Sequence, residues 1–496
     1  MMQDNSPALD RQATRVFKRE LSLFDSTMLV VGSMIGSGIF IVSADIARTV
    51  GSPGYLLLVW IITGAITITA ALSYGELAGM LPHAGGQYVY LREAYNPLIG
   101  FLYGWTLFLV IQTGTIAAVA VAFAKYTGEM IPWFSEKNIL LNVLGLKISA
   151  AQILAIATIT FLTYTNMRGL HSGKIIQNIF TTTKALAMLG LIILVIFISK
   201  HIESLFAIFS DFRNPGWTHV AGGKIVSVEP LSGMLLVAAI GVAMVGSLFS
   251  SDAWNNITFT SGEVVNPKRN IPLSLFLGTL IVTIIYIAAN VAYIFILPIK
   301  GTPDAANVMG RGIQFALSDR VATAASSMIF GHPAVIIMSL LIMVSTFGCN
   351  NGLILSGARV YYAMAKDNLF FKKTGTLNKN SVPGFALIVQ AVWASLLCLS
   401  GTYGNLLDYV IFAVLIFYIL TIIGLFVLRK KRPEANRPYK AWGYPVLPAL
   451  YILCAAAISI DLLIFKPIYT WPGMVIVLMG IPVYFVWKKF IVNKPE

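Results

Sequence analysis

The sequence predicts an all-α membrane protein with twelve transmembrane helices, and three observations carry that prediction. Of its 496 residues 57% are hydrophobic and only 11% charged, with a mean hydropathy of +0.79; soluble domains carry roughly a quarter charged residues. Apolar runs of about 20 residues, the length that crosses ~30 Å of hydrocarbon, recur along the whole chain. Lysines and arginines gather in alternate loops between those runs, as the positive-inside rule requires.

The runs fall near residues 26–49, 54–80, 97–125, 149–166, 175–199, 230–260, 271–297, 333–362, 383–401, 405–428, 443–465 and 470–489. The first contains ADIA (Ala44–Ala47), which looks like a cleavage site, but eleven further spans follow, so it is read as structure. With the amino terminus inside, 22 of the 35 Lys and Arg lie on that side and 11 on the other, and Lys184 and Arg359 lie within spans. Both termini are then cytoplasmic. The net charge of +14 is a topology signal, which removes the case for a nucleic-acid partner. The basic loop RKKRPEANRPYK (Arg429–Lys440) suits contact with anionic membrane lipid, although orientation alone accounts for it. Cys349, Cys398 and Cys454 lie in apolar segments, too few for a disulfide framework, and five scattered histidines form no metal motif. Neither a cofactor nor a metal is expected. The chain divides into a tail (1–25), a first five-helix unit (26–199), a second (230–428), a helix pair (443–489) and a short tail (490–496).

Two spans are weak at their centres. In the first, VGSMIGSGIFI (Val31–Ile41), Gly32, Gly36 and Gly38 flank Ser33 and Ser37. In the sixth, GSLFSSDAWNN (Gly246–Asn256) brings small and polar residues and Asp252 to mid-depth. A GxxxG packing face would explain the first and a buried polar knot the second. The GSG directly after GxxxG loosens the backbone beyond what packing requires, and the two interruptions occupy corresponding places in two five-span halves. Paired broken segments point to a transporter of inverted repeats with its site between the breaks. An unwound turn frees amide N–H groups at the start of the outer half-helix and carbonyls at the end of the inner one. The amides suit a carboxylate and the carbonyls an ammonium, so the pair fits the zwitterionic head of an α-amino acid. Ser37 adds a hydroxyl.

Lys184 stands alone in the middle of the fifth span, where a cation is costly and marks function. Glu76, Arg359 and Asp461 lie nearer span ends or on packing faces and read as structural. Asn255 and Gln112 either line the pocket or bond between helices. A membrane-embedded enzyme would need a nucleophile–base pair or metal ligands at depth, and no His or Cys pairing supplies one.

These residues resemble the L-type amino acid transporter family of the amino acid–polyamine–organocation superfamily, in its bacterial members. The resemblance runs through GSMIGSGIF, PHAGGQYVYLREAY (Pro82–Tyr95), QNIFTTTKALA (Gln177–Ala187), LFSSDAWNNITFTSGEVVNPKRNIP (Leu248–Pro272), FGCNNGLILSGARVYYAMAKD (Phe347–Asp367) and RKKRPEANRPYK. It implies the LeuT-like fold, a 5+5 inverted repeat with helices 1 and 6 broken. The implied substrate site comprises Met34, Ile35, Gly36, Ser37, Gly38, Phe249, Asp252 and Asn255. Amides of Gly36, Ser37 and Gly38 would hold the carboxylate; carbonyls of Met34 and Phe249, with the region of Asp252, would take the amine. Phe249 resembles the aromatic gate, although core packing is the usual fate of such a residue. Asp252 stands where animal exchangers have a small residue, and either reaches the amine or caps the broken helix. The resemblance sets Lys184 against the first and eighth spans, beside Ser345, where sodium-coupled relatives hold a cation. Animal members join a single-span glycoprotein through a cysteine in the loop after span 3; Ile131–Lys147 has none, so no disulfide-linked heavy chain is expected. The implied protein is a sodium-independent exchanger of neutral L-amino acids working by alternating access in a bacterial inner membrane. Proton-coupled symport, or a permease for cationic amino acids or polyamines, is the alternative.

Overall fold

The computed structural model describes residues 16–143, 146–198, 214–400 and 403–489. The expected tail 490–496, the first fifteen residues of the tail 1–25 and residue 199 lie outside the described residues. The chain is mostly helical: α1 (Leu23–Met34), α2 (Val42–Val50), α3 (Pro53–Met80), α4 (Gln87–Ala94) and α5 (Pro97–Met130) open it. There follow α6 (Ala150–Met167), α7 (Leu170–Ile198), α8 (Gly233–Ser250), α9 (Asn256–Phe259), α10 (Pro267–Ile296) and α11 (Val321–Phe330). The last five are α12 (Ala334–Lys366), α13 (Gly384–Leu399), α14 (Tyr403–Lys431), α15 (Val446–Phe465) and α16 (Pro467–Trp487).

Among the described residues ten helices are long and apolar enough to cross a membrane: α3, α5, α6, α7, α8, α10, α12, α14, α15 and α16. The first expected span is divided between α1 and α2, and the ninth is the 16-residue α13. The sixth, expected over 230–260, begins at Gly233 and stops at Ser250, with the four-residue α9 beyond. One expectation needs correcting. The chain is not wholly α, because two antiparallel hairpins, β1 (Ile139–Val143) with β2 (Leu146–Ser149) and β3 (Gly216–Ala221) with β4 (Lys224–Pro230), occupy the loops after the third and fifth spans. Strands of four to seven residues do not register against a pattern of 20-residue runs, and β4 is why the sixth span starts late.

The ends of the broken helices have local causes. Ser22 caps α1, its hydroxyl accepting from the Asp25 amide at 3.2 Å while the Asp25 carboxylate takes the Ser22 amide at 2.9 Å, a capping box. Asn178 of α7 donates to that same carboxylate at 2.6 Å, which fixes α1 alongside α7. At the other end Ile35 leaves the helix (φ −77°, ψ 93°), Gly36 and Ser37 turn the chain, and Gly38–Phe40 makes one 3₁₀ turn before α2. Helix α2 closes on Gly51 at φ +60°, where a Cβ would lie 2.3 Å from the Gly216 carbonyl oxygen. The second break follows Ser250, and Ala253 stands at φ +64° within it, a conformation uncommon without a glycine.

Helix α1 is buried along most of its length and packs against α7, α10 and α12, while α2 packs on α8. The pairs α3–α10 and α5–α12 run along one another, and α1 packs on the α10 and α12 members of these pairs. In contrast α7 leaves Ile175, Ile179, Leu186, Ile193 and Phe197 exposed on one side, the apolar face that hydrocarbon would cover.

Candidate functional site

A helix ends with carbonyls that have no intrahelical donor, and α1 ends at the centre of the molecule. Each of these carbonyls finds a partner from another helix. The Lys184 ammonium of α7 donates to the Gly32 oxygen at 2.7 Å and the Ile35 oxygen at 2.5 Å, and lies 3.3 Å from the Ser345 carbonyl. The Ser345 hydroxyl of α12 donates to Ile35 at 3.1 Å and Gly36 at 2.8 Å. The Cys349 thiol lies 3.1 Å from the Ser33 oxygen. Tyr286 of α10 stands between the breaks, its hydroxyl 3.1 Å from the Met34 oxygen and 3.0 Å from the Ser250 oxygen. Lys184 is wholly buried, and its charge is met by carbonyl dipoles at the negative end of α1.

The amide side of the first break faces the second. Ser37, Gly38 and Ile39 open the turn Gly38–Phe40, where helix-initial N–H groups lack intrahelical acceptors. Gly38 touches α8: a Cβ there would lie 2.1 Å from Ser250 Oγ and 2.9 Å from Ser250 Cβ. Gly32 is equally tight against Gln177 and Thr181, whereas a Cβ on Gly36 would meet only Cys349 Sγ at an ordinary 3.5 Å. Thus Gly32 and Gly38 are packing requirements as well as points of backbone weakness. Phe249, one residue before Ser250, is half-buried.

The other two expected site residues belong to a second group. Tyr418 of α14 donates to Asp252 Oδ1 at 2.6 Å. Asn255 Nδ2 donates to Gln87 Oε1 at 2.7 Å, and Gln87 continues to the Thr421 hydroxyl at 3.1 Å. Asp252, Asn255, Gln87, Gln112, Tyr103 and Tyr418 share the wall of a cavity of about 20 Å³, room for about one water. Met34 to Gly38 do not line it. The Tyr103 hydroxyl and the Asn256 side-chain nitrogen are buried there without a protein partner among the described residues. Gln112 both lines this cavity and bonds between helices, donating to the Leu353 carbonyl at 2.7 Å.

Sequence reasoning missed Tyr286, Tyr418, Cys349 and Gln87. A usable signal existed for one of them. Tyr286 and Tyr293 are seven residues apart on one face of α10, and a buried phenol needs a partner; Tyr293 reaches the Ile39 carbonyl at 3.4 Å. Of the three charges read as structural, Arg359 and Glu76 form ion pairs, whereas Asp461 Oδ2 is buried without a protein partner among the described residues. Arg359 grips Glu263 at 2.9 and 2.8 Å, and Glu76 receives Arg429 at 2.8 and 2.5 Å and the Ala441 amide at 2.7 Å. The basic loop is therefore more than an orientation signal, because Arg429 and Arg437 pair with Glu76 and Arg432 pairs with Glu93. No cluster of metal-ligating side chains occurs among the described residues.

The amino acid permease family matches residues 21–487. Human large neutral amino acids transporter small subunit 2 is 29% identical over 475 residues, covering 94% of this chain and 80% of its own length. Human b(0,+)-type amino acid transporter 1 is 28% identical over 481 residues, covering 96% and 89%. Mouse Asc-type amino acid transporter 1 is likewise 28% identical over 481 residues, covering 95% and 82%. With ten apolar helices and a match that spans almost the whole sequence, the chain belongs to the amino acid permease family and is a multi-pass membrane protein of amino acid transport.

Proposed function

We propose that this protein is a sodium-independent exchanger of neutral L-amino acids that works by alternating access. Twelve spans with cytoplasmic termini, five and five related as inverted repeats, complete the reading; the mutual packing of α3 with α10 and of α5 with α12, equivalent members of the two repeats, supports it. The substrate carboxylate meets the amides of Gly36, Ser37 and Gly38. Its ammonium meets the Met34 and Phe249 carbonyls by displacing donors they hold, since Met34 accepts from Tyr286 and the Gly36 amide and Phe249 from the Asp252 amide, and the Phe249 ring closes over it. The observation that carries sodium independence is the Lys184 ammonium among the carbonyls of Gly32, Ile35 and Ser345. That is oxygen coordination suited to a small cation, with a fixed charge already in it. Uptake by the purified protein in liposomes tests the reading. Leucine or alanine uptake should be unchanged when choline replaces sodium, and should require amino acid inside; sodium dependence overturns it, and accumulation driven by a pH gradient alone turns it into proton coupling.

A second reading is favoured by Asp252, a carboxylate in the wall of a cavity next to the break. A cationic side chain entering that cavity would pair with it, and arginine or lysine would then be the substrate. Competition between leucine and arginine for uptake decides between the two.

A further inference from the structure

We infer that the protein carries a binding site for an anionic phospholipid at the ends of α12, α13 and α16. A groove of about 450 Å³ lies there, within the roughly 300–1,000 Å³ of ligand pockets, with Phe370, Phe371, Phe385, Val389 and Trp487 as its apolar walls and Lys372 and Lys373 at its rim. Three contacts pre-form it. The Trp487 indole donates to the Asn368 carbonyl at 3.1 Å, Phe371 meets the Trp487 ring edge-on at 5.3 Å, and the Lys373 ammonium stands 4.8 Å from the Phe385 ring centre. The end of α16 is thereby pinned to the turn after α12, and the start of α13 forms the far wall.

The position is that of a lipid headgroup. Helix α12 ends at Lys366, α13 starts at Gly384 and α16 ends at Trp487, so the groove opens where three apolar helices stop. Indole rings favour that depth. Charge complementarity selects the occupant. Lys372, Lys373 and the adjacent Lys488 are exposed, and none of the lining residues is acidic. Orientation in the membrane requires only the positive charges; it does not call for a walled apolar groove beneath them. Acyl chain in the groove and phosphate against the lysines satisfies both halves, and a zwitterionic headgroup gains no net attraction there. Basic pockets between helices on the cytoplasmic side recognise anionic headgroups by the same physics.

Native mass spectrometry of the purified full chain, offered equal amounts of phosphatidylglycerol and phosphatidylcholine with identical chains, tests the site. Phosphatidylglycerol should be retained preferentially. The pair Lys372→Gln and Lys373→Gln should lower that retention by up to roughly 30-fold, about 1 kcal/mol per basic residue, while Lys372→Arg with Lys373→Arg keeps it. Val389→Trp, which fills the groove, should lower retention with every lysine present. Equal retention of the two lipids overturns the site. So does an equal loss on Lys379→Gln with Lys430→Gln, exposed lysines outside the groove, because general surface charge would then be the cause. A lipid-independent dimer that Val389→Trp dissociates would give the groove to a second copy of the chain instead.

Discussion

The Lys184 ammonium lies 2.5 Å from the carbonyl oxygen of Ile35, the residue at which α1 stops being a helix. One side chain of α7 thereby holds the broken end of α1, and it does so with Ser345 of α12 on the same oxygen. Any movement of α1 that changes access to the break must stretch or keep these contacts.

Removing that link should impair transport more than assembly. Lys184→Ala leaves the Gly32 oxygen without its donor from α7, a cost on the order of 1–3 kcal/mol for a buried acceptor. Uptake should be lost while the variant still purifies as a folded, less heat-stable protein. Normal uptake by the alanine variant, measured in liposomes beside a thermal melt, would contradict the role.

Gly38 and Gly36 should behave differently although both sit in the break. A methyl group on Gly38 runs into Ser250, whereas Gly36 has an ordinary 3.5 Å to Cys349. Gly38→Ala should therefore cost about 1–3 kcal/mol of overpacking, and Ser250→Gly should relieve part of it. Gly36→Ala should fold as the wild type. Thermal stability of the two single variants and the Gly38→Ala, Ser250→Gly pair reads this directly.

Asp252 distinguishes the two substrate readings. For a neutral substrate, Asp252→Asn should leave uptake of leucine or alanine within about tenfold, the loss of one charge-assisted hydrogen bond with Tyr418. Arginine and lysine should compete poorly in wild type and variant alike. Strong arginine uptake that disappears in Asp252→Asn would establish the cationic reading.

The pair Arg359–Glu263 is the strongest structural prediction. Both side chains are 1% exposed and joined by two hydrogen bonds. Glu263→Gln strands a buried guanidinium and should destabilise by about 3–5 kcal/mol. A melting temperature equal to wild type would show that the charge is compensated elsewhere.

Acid should loosen the ion pairs of the basic loop. Burial alone would raise the Glu93 carboxyl, but hydrogen bonds from Arg432 and Arg92 outweigh it and hold it below its ordinary 4.5. A depressed carboxyl contributes stability that is fully present above its unfolded value and is lost as pH falls through the folded one. Below pH 4.5 the wild type should therefore lose stability that Glu93→Gln already lacks. Melting curves for both proteins between pH 7 and pH 3.5 should converge towards the acid end.

Composition and periodicity alone determine that this chain is built of membrane-length helices, because hydrocarbon demands about 20 apolar residues wherever a helix crosses it. Val31–Ile41 and Gly246–Asn256 likewise declare their weakness in the sequence, since glycine, serine and aspartate disfavour helix wherever they cluster. The two hairpins escaped notice because strands of a few residues leave no long periodic trace. What holds the breaks was decided in three dimensions. Tyr286 reads as one more apolar-span aromatic until α10 brings its hydroxyl to Met34 and Ser250, 252 and 36 residues away in the chain. Tyr418 meets Asp252, and Arg429 meets Glu76, across comparable separations. A freed carbonyl or buried carboxylate announces in sequence that it needs a donor, but which donor arrives is fixed only when distant helices pack.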